Sequence, residues 1–279
     1  MKTTTDVRAV VLRVFVLTGI LVTGAGTAQE RTHPDTPAAQ SEAPADGDVV
    51  ELGGAVIGRM GEPAAVDPEE FEFSEAETRL WLSDHLKNIT QPTRLHYEFQ
   101  KTGSYEAGFV DSVYLDIVAI NPDGTKNTEM QFFTGPRAQP FGAGNVTDVT
   151  GNPVLGTYLG GDIDEMNRLT GGSSSSPSRW RYFQRRIKLA LAEAANVEQI
   201  SVDFNGRSVA ALRITIAPYV KDPHRAEFEQ FADKRYEFVL SDDVPGTLYQ
   251  IRTLVPGGNG AEAPLIEEIL TLRQVEKRG

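Results

Sequence analysis

The sequence predicts an α+β fold: a mainly antiparallel sheet, curved or half-barrel, of about eight strands with about three helices. Three observations carry that reading. Leu95, Tyr97 and Phe99 alternate with His96 and Glu98, the period of a half-buried strand. Turn residues join extended runs in pairs, at Pro122-Asp123-Gly124, at Asn205-Gly206 and from Ser241 to Gly246. The helix signals are clustered rather than placed after every strand, which favours hairpins over parallel units.

Each element follows from local chemistry. Ser74-Glu75-Ala76-Glu77 fits a capping box, and the helix it opens is expected to run to about Asn88, burying Leu80, Trp81 and Leu86. His85 then falls inside that helix as a surface or core residue. Strands are expected at Leu95–Phe99, Phe109–Ile120 and Thr128–Phe133, with His96 on the solvent side. Gly135 to Leu159 reads as a loop with one short strand, and a helix begins near Asp162, which could cap it. Gly171–Pro177 is a flexible Gly/Ser excursion, spanning about 171–178. Val197–Phe204 and Ser208–Ile216 form a hairpin around Asn205-Gly206. Asp222-Pro223 supplies a cap followed by proline at the first helical position, with Phe228 and Phe231 facing inward. Tyr236–Leu240, Leu248–Val255 and Leu265–Leu272 complete the sheet.

Ahead of this domain, expected over 71–279, stand two segments of different character. Residues 1–28 carry Lys2, Arg8 and Arg13, an apolar run from Val14 to Val22, and small residues ending in Gly26-Thr27-Ala28. That is the pattern of an export signal cleaved after Ala28, and the apolar run is too short for a spanning helix. The product is expected to be exported, with the periplasm as its compartment. Residues 29–70 hold ten acids against two bases and no aromatic residue, a composition that favours a largely disordered linker. Only Val49–Gly58 is apolar enough to add a strand or dock.

Composition excludes several chemistries. The 279 residues include no cysteine, which removes disulfides, thiol catalysis, thiolate zinc sites and attachment of lipid to a processed cysteine. The net charge of −12 argues against nucleic acid as a partner. The charge is uneven: −8 belongs to 29–70, −6 to 71–279 and +2 to the leader. Against that background Arg179-Trp180-Arg181-Tyr182-Phe183-Gln184-Arg185-Arg186-Ile187-Lys188 inverts the sign, with five bases and no acid. On a helix to about Ala195, Trp180, Phe183, Ile187, Leu191 and Ala194 form an apolar stripe, and Arg181, Arg185 and Lys188 share another face. Arg179, Arg181, Arg185, Arg186 and Lys188 are therefore the candidate contacts for a partner or an anionic membrane. A docked helix whose bases offset nearby acids would show the same pattern.

No catalytic constellation is legible. The chain has no Gly-x-Ser-x-Gly elbow, no phosphate-cradling glycine loop and no His-Glu-x-x-His. Asp111 and Asp116, five apart on a strand, point to opposite faces. Asp162, Asp164 and Glu165 form the best oxygen cluster, yet they lack the ligand spacing of a calcium loop. No cofactor, no metal and no catalytic residue is expected. A hydrolase remains the third reading, since acid-pair or Ser/Lys chemistry can exist without a motif.

Leu95-His96-Tyr97-Glu98-Phe99, followed by Gly103, Gly108 and Asp111-Ser112-Val113-Tyr114-Leu115, resembles the opening of exported proteobacterial proteins that carry a domain of unknown function. Tyr236–Asp242 with Pro245-Gly246 is similar to their late hairpin. Such domains resemble the half-open barrels of periplasmic lipoprotein carriers, and that resemblance, over about 95–135 and 197–272, implies a curved sheet that holds acyl chains. It transfers no functional residue, and Gly135–Ala195 departs from it. Independently, aromatic residues alternating along the strands suggest a concave, non-enzymatic site for an apolar or amphipathic ligand such as a lipid. Leu95, Tyr97, Phe99, Phe109, Val113 and Leu115 are its expected lining; the same residues could instead form a core under the helices. The alternative function is an envelope adaptor that meets a partner protein or membrane through 179–195.

Overall fold

The computed structural model describes residues 72–138, 144–172, 177–258 and 263–278. The leader, the acidic segment and Ser173–Ser176 lie outside them. The nine strands are β1 (Thr93–Thr102), β2 (Phe109–Ile120), β3 (Lys126–Phe132), β4 (Gly144–Val149), β5 (Asn196–Phe204), β6 (Arg207–Ile216), β7 (Arg235–Leu240), β8 (Leu248–Val255) and β9 (Ile266–Lys277). They form one curved antiparallel sheet in the order β4-β3-β2-β1-β9-β8-β7-β6-β5. It stays open, because β4 and β5 end it on opposite sides. The α+β architecture expected from the sequence is the one observed.

Hairpin chemistry explains most of this order. Asn205 and Gly206 both adopt positive φ, 53° and 74°, as a two-residue turn between right-twisted strands requires. The register then pairs Phe204 with Arg207 and Ile200 with Ala211. Among the described residues only β1–β9 joins distant parts of the chain, with Tyr97 opposite Leu272 and Lys101 opposite Glu268.

Alternation gives the sheet two faces. The outer one carries cross-strand ion pairs: Arg94–Asp116 at 2.7 Å, Arg273–Glu98 at 2.8 Å, Arg252–Glu267 at 2.6 Å and Arg213–Glu198 at 2.7 Å. His96 lies among them, stacked on Tyr114 and hydrogen-bonded to Ser112. The inner face carries the core, including Leu95, Val113, Leu115, Ile214, Phe238, Ile251 and Leu270.

The helices differ from the sequence expectation in their limits. The first, α1, has the capping box, with Ser74 Oγ accepting from Glu77 N at 3.1 Å. It spans only Glu75–Glu77 before a wider π turn, Thr78–Leu82, closes on the bond from Ser83 N to Thr78 O. His85 consequently sits in a turn and is buried. The second, α2 (Pro153–Leu169), starts at Asn152-Pro153 and not near Asp162: Asn152 Oδ1 accepts from Val154 N, and Pro153 takes the first helical position. Gly156, Gly160 and Gly161 lie within it, which masks the helix in the sequence. The third, α3 (Pro177–Glu193), buries Phe183, Ile187, Ala190 and Leu191, with Trp180 half-buried and Ala194 exposed. The fourth, α4 (Arg225–Phe228), is one turn long; Asp222 still serves the local turn by accepting from His224 N at 2.8 Å.

Candidate functional site

Five of the six expected lining residues, Leu95, Tyr97, Phe99, Val113 and Leu115, lie together on the inner face, none more than 3% exposed. Helix α2 covers this part of the sheet. Its buried positions Val154, Leu155, Tyr158, Leu159, Ile163 and Met166 recur at intervals of one, three and four, an apolar stripe turned to the core. The cap residue ties it down: Asn152 Nδ2 donates to Tyr97 Oη at 3.0 Å and to Gly246 O at 2.9 Å. His85 Nδ1 accepts from Asn152 N, so its Nε2–H donates to Arg79 O. Burial lowers the His85 pKa, consistent with a neutral ring. The sixth residue, Phe109, is half-buried in an aromatic corner with Phe99 and Phe133, under the Arg137 guanidinium.

Beside these side chains, α2 brings charge into the core. Asp162 is bonded to Lys234 and accepts from Tyr236 Oη at 2.7 Å. Lys101 meets Glu165, Glu268 at 3.1 Å and Glu106 at 2.7 Å. Arg168 closes the rim on Glu106 at 3.1 Å. Tyr158 Oη reaches both Thr253 and Glu268. Burial, then the neighbouring Glu165 carboxylate, pushes the Glu268 pKa up to about 7. At Glu165 burial acts upward too, but the attraction of Lys234 and Lys101 outweighs it and holds the carboxyl at about 2. Burial also raises the Asp162 pKa against the pull of Lys234. Oxygens of Asp162, Glu165 and Glu268 lie within 4.8 Å of one another, close enough for a cation. The Lys101 and Lys234 ammonium groups already supply positive charge there, so the cluster is a self-neutralised latch holding α2 to β1, β9 and the start of β7.

An opening remains where α2 does not reach. A pocket of about 260 Å³ lies between the π turn after α1 and strands β5–β7. Ile200, Ala210, Ala211, Leu212 and Leu240 give its apolar lining; Arg79, Ser83, Gln199, Ser241, Asp242 and Asp243 supply polar groups. Asn88 fixes the acidic turn by donating to Val244 O at 2.8 Å and accepting from Gly246 N. Arg79 and Lys87 flank Asp242 at 3.7 and 3.0 Å. Thr247 lines the same pocket at φ 61°, a strained conformation for a β-branched residue, held by its bond to His85 O. Sequence reasoning missed this site, because an apolar floor shared by three strands and a mixed-charge turn has no linear motif. The latch did leave a trace: Lys101 and Glu268 occupy inward-facing positions of their strands.

The candidate contact helix divides in two. Arg179 donates to Thr170 O at 2.8 Å, and Arg186 pairs with the buried Asp222 at 2.6 Å. These two hold α3 in place. Arg181, Arg185 and Lys188 face solvent. Among the described residues no helix is long and apolar enough to cross a membrane.

No protein-family model and no curated protein matches this sequence. Among solved structures the chain is similar to the Mycobacterium tuberculosis lipoprotein LppX, at 13% identity and TM-score 0.31, over 73% of this chain and 95% of that one. It is similar to the MucA/MucB complex of Pseudomonas aeruginosa at 13% identity and TM-score 0.35, over 74% of this chain and 58% of that one. A LolA superfamily protein from Nitrosomonas europaea aligns at 6% identity and TM-score 0.20, over 73% and 94% of the two chains.

Proposed function

We propose that this protein is an exported, non-enzymatic binder of an amphipathic ligand, placed in the periplasm by cleavage of its leader after Ala28. The observation that carries the reading is the pocket at β5–β7, whose apolar floor adjoins a polar, mixed-charge rim. Apolar surface with a few placed polar groups is the composition of small-molecule sites. In this assignment an acyl or similar chain lies over Leu212 and Leu240, and the ligand's polar end meets Arg79 and the acidic turn. The volume of about 260 Å³ suits one short chain or part of a longer one. Leu95, Tyr97, Phe99, Phe109, Val113 and Leu115 belong to the inner face beyond the pocket. A longer ligand reaches the five buried ones only by displacing α2. Fluorescent fatty-acid uptake, with native mass spectrometry of the protein from its own envelope, tests it. A co-purified amphiphile that Ala210→Trp excludes is expected; neither uptake nor co-purification would reject it.

A further inference from the structure

We infer that the outer face of α3 is a docking surface for an anionic lipid headgroup layer. Stepping about 100° per residue, Arg181, Arg185, Lys188 and Ala192 form one stripe, with Leu189 on its flank. All five are exposed, and Leu189 is 41% exposed despite being apolar. Among the described residues neither Arg181 nor Arg185 has an ion pair or hydrogen-bond partner. Two acids of the neighbouring 222–227 segment are already committed, while Glu193 at the end of α3 is exposed. Asp222 is fully buried against Arg186, and Glu227 bonds His224 at 2.8 Å.

The surface continues past the helix. Arg186 Nη2 donates to Pro218 O at 3.3 Å, which sets the 218–222 turn beside this flank of α3. That turn presents Lys221 and the apolar Val220, 38% exposed. Cations interleaved with two protruding apolar side chains suit an interface of anionic headgroups over acyl chains. An acidic protein surface would use the charges but would leave Leu189 and Val220 unexplained. The chain as a whole is acidic, at −12, so generalised attraction cannot supply binding; it has to come from this patch. None of these residues lines the pocket, so the surface stands or falls apart from the ligand reading.

Vesicle flotation of the full chain tests the inference, with phosphatidylglycerol-containing vesicles against pure phosphatidylcholine. Wild-type protein is expected to float with the anionic vesicles and to be released as ionic strength rises. The combined variant Arg181→Glu, Arg185→Glu, Lys188→Glu is expected to lose about a hundredfold in anionic-vesicle affinity, with an unchanged melting temperature. Leu189→Ser, which keeps every charge, is expected to weaken binding while preserving the salt dependence. The leader is common to all these proteins, so the difference between wild type and variants reads α3. Equal flotation with both vesicle types, or undiminished flotation of a folded charge-reversed variant, overturns the inference. Capture by soluble polyglutamate without vesicle binding overturns it in favour of an acidic protein partner. Should the triple variant fail to fold, neutralisation by Arg181→Gln with Arg185→Gln gives the same reading with a smaller expected loss.

Discussion

Glu268 occupies an inward position of β9, where its neighbours Ile266, Leu270 and Leu272 are core residues. A carboxyl held near 7 there keeps a proton that the unfolded chain releases near its ordinary value. Between those two values the folded state binds more protons, so this group's contribution to stability falls as pH rises, by up to about 1.4 kcal/mol per unit. Glu165 acts at the other end, its stabilisation being lost as pH falls toward 2. His85, lowered by burial, opposes Glu268: its contribution falls as pH drops below the ordinary imidazole range. Comparison of Glu268→Gln with wild type isolates the first effect. Urea denaturation from mildly acidic to neutral pH is expected to show the variant gaining on wild type as pH rises; a constant difference would contradict the assigned protonation. Lys234→Met leaves Asp162 buried without its cation and is expected to cost about 3–5 kcal/mol, read by the same denaturation at neutral pH. The alternation of Leu95, Tyr97, Phe99 and Lys101 already places Lys101 in the core, so that half of the latch was legible. Its helical half was not, because Asp162 resembled a cap and only the true start of α2 puts it mid-helix on the buried stripe.

At the scale of elements, hairpins were readable because their determinants are local. Asn205-Gly206 supplies the positive φ values its turn needs, and the strand limits around it match the sequence expectation closely. Helix limits depended on rarer signals. The Ser74–Glu77 box marks a true start, but the chain leaves helix at Ser83 because the turn at 84–88 is recruited to hold α2 and the 241–247 segment. Asn152 is where these elements meet, since it caps α2 and bonds both Tyr97 and Gly246. Asn152→Ala is expected to destabilise by about 2–4 kcal/mol, the sum of a lost cap and buried groups left unpaired. Hydrogen exchange is expected to show the loss most strongly in the first turns of α2. Protection unchanged there would mean that α2 is held by packing alone.

For the whole molecule, the decisive feature is that the inner face is unevenly covered. Helix α2 seals the part over β1, β2 and β9 with apolar contacts and a buried latch, while the floor at β5–β7 stays open. With no cysteine anywhere in the chain, this stability rests on packing and the latch and not on disulfides. The sequence showed that the strands had an apolar side but not which part of it the helices would leave bare. Coverage depends on where α2 starts and how far it reaches, which are long-range consequences of Asn152 and the buried charges. The central claim is that the bare part is the ligand site. Titration of a fluorescent fatty acid into wild type and Ala210→Trp, with matched melting temperatures, tests it most directly. Saturable binding to wild type that falls about tenfold or more in the variant is the expected result. Equal binding by both proteins, or none by wild type, would contradict it.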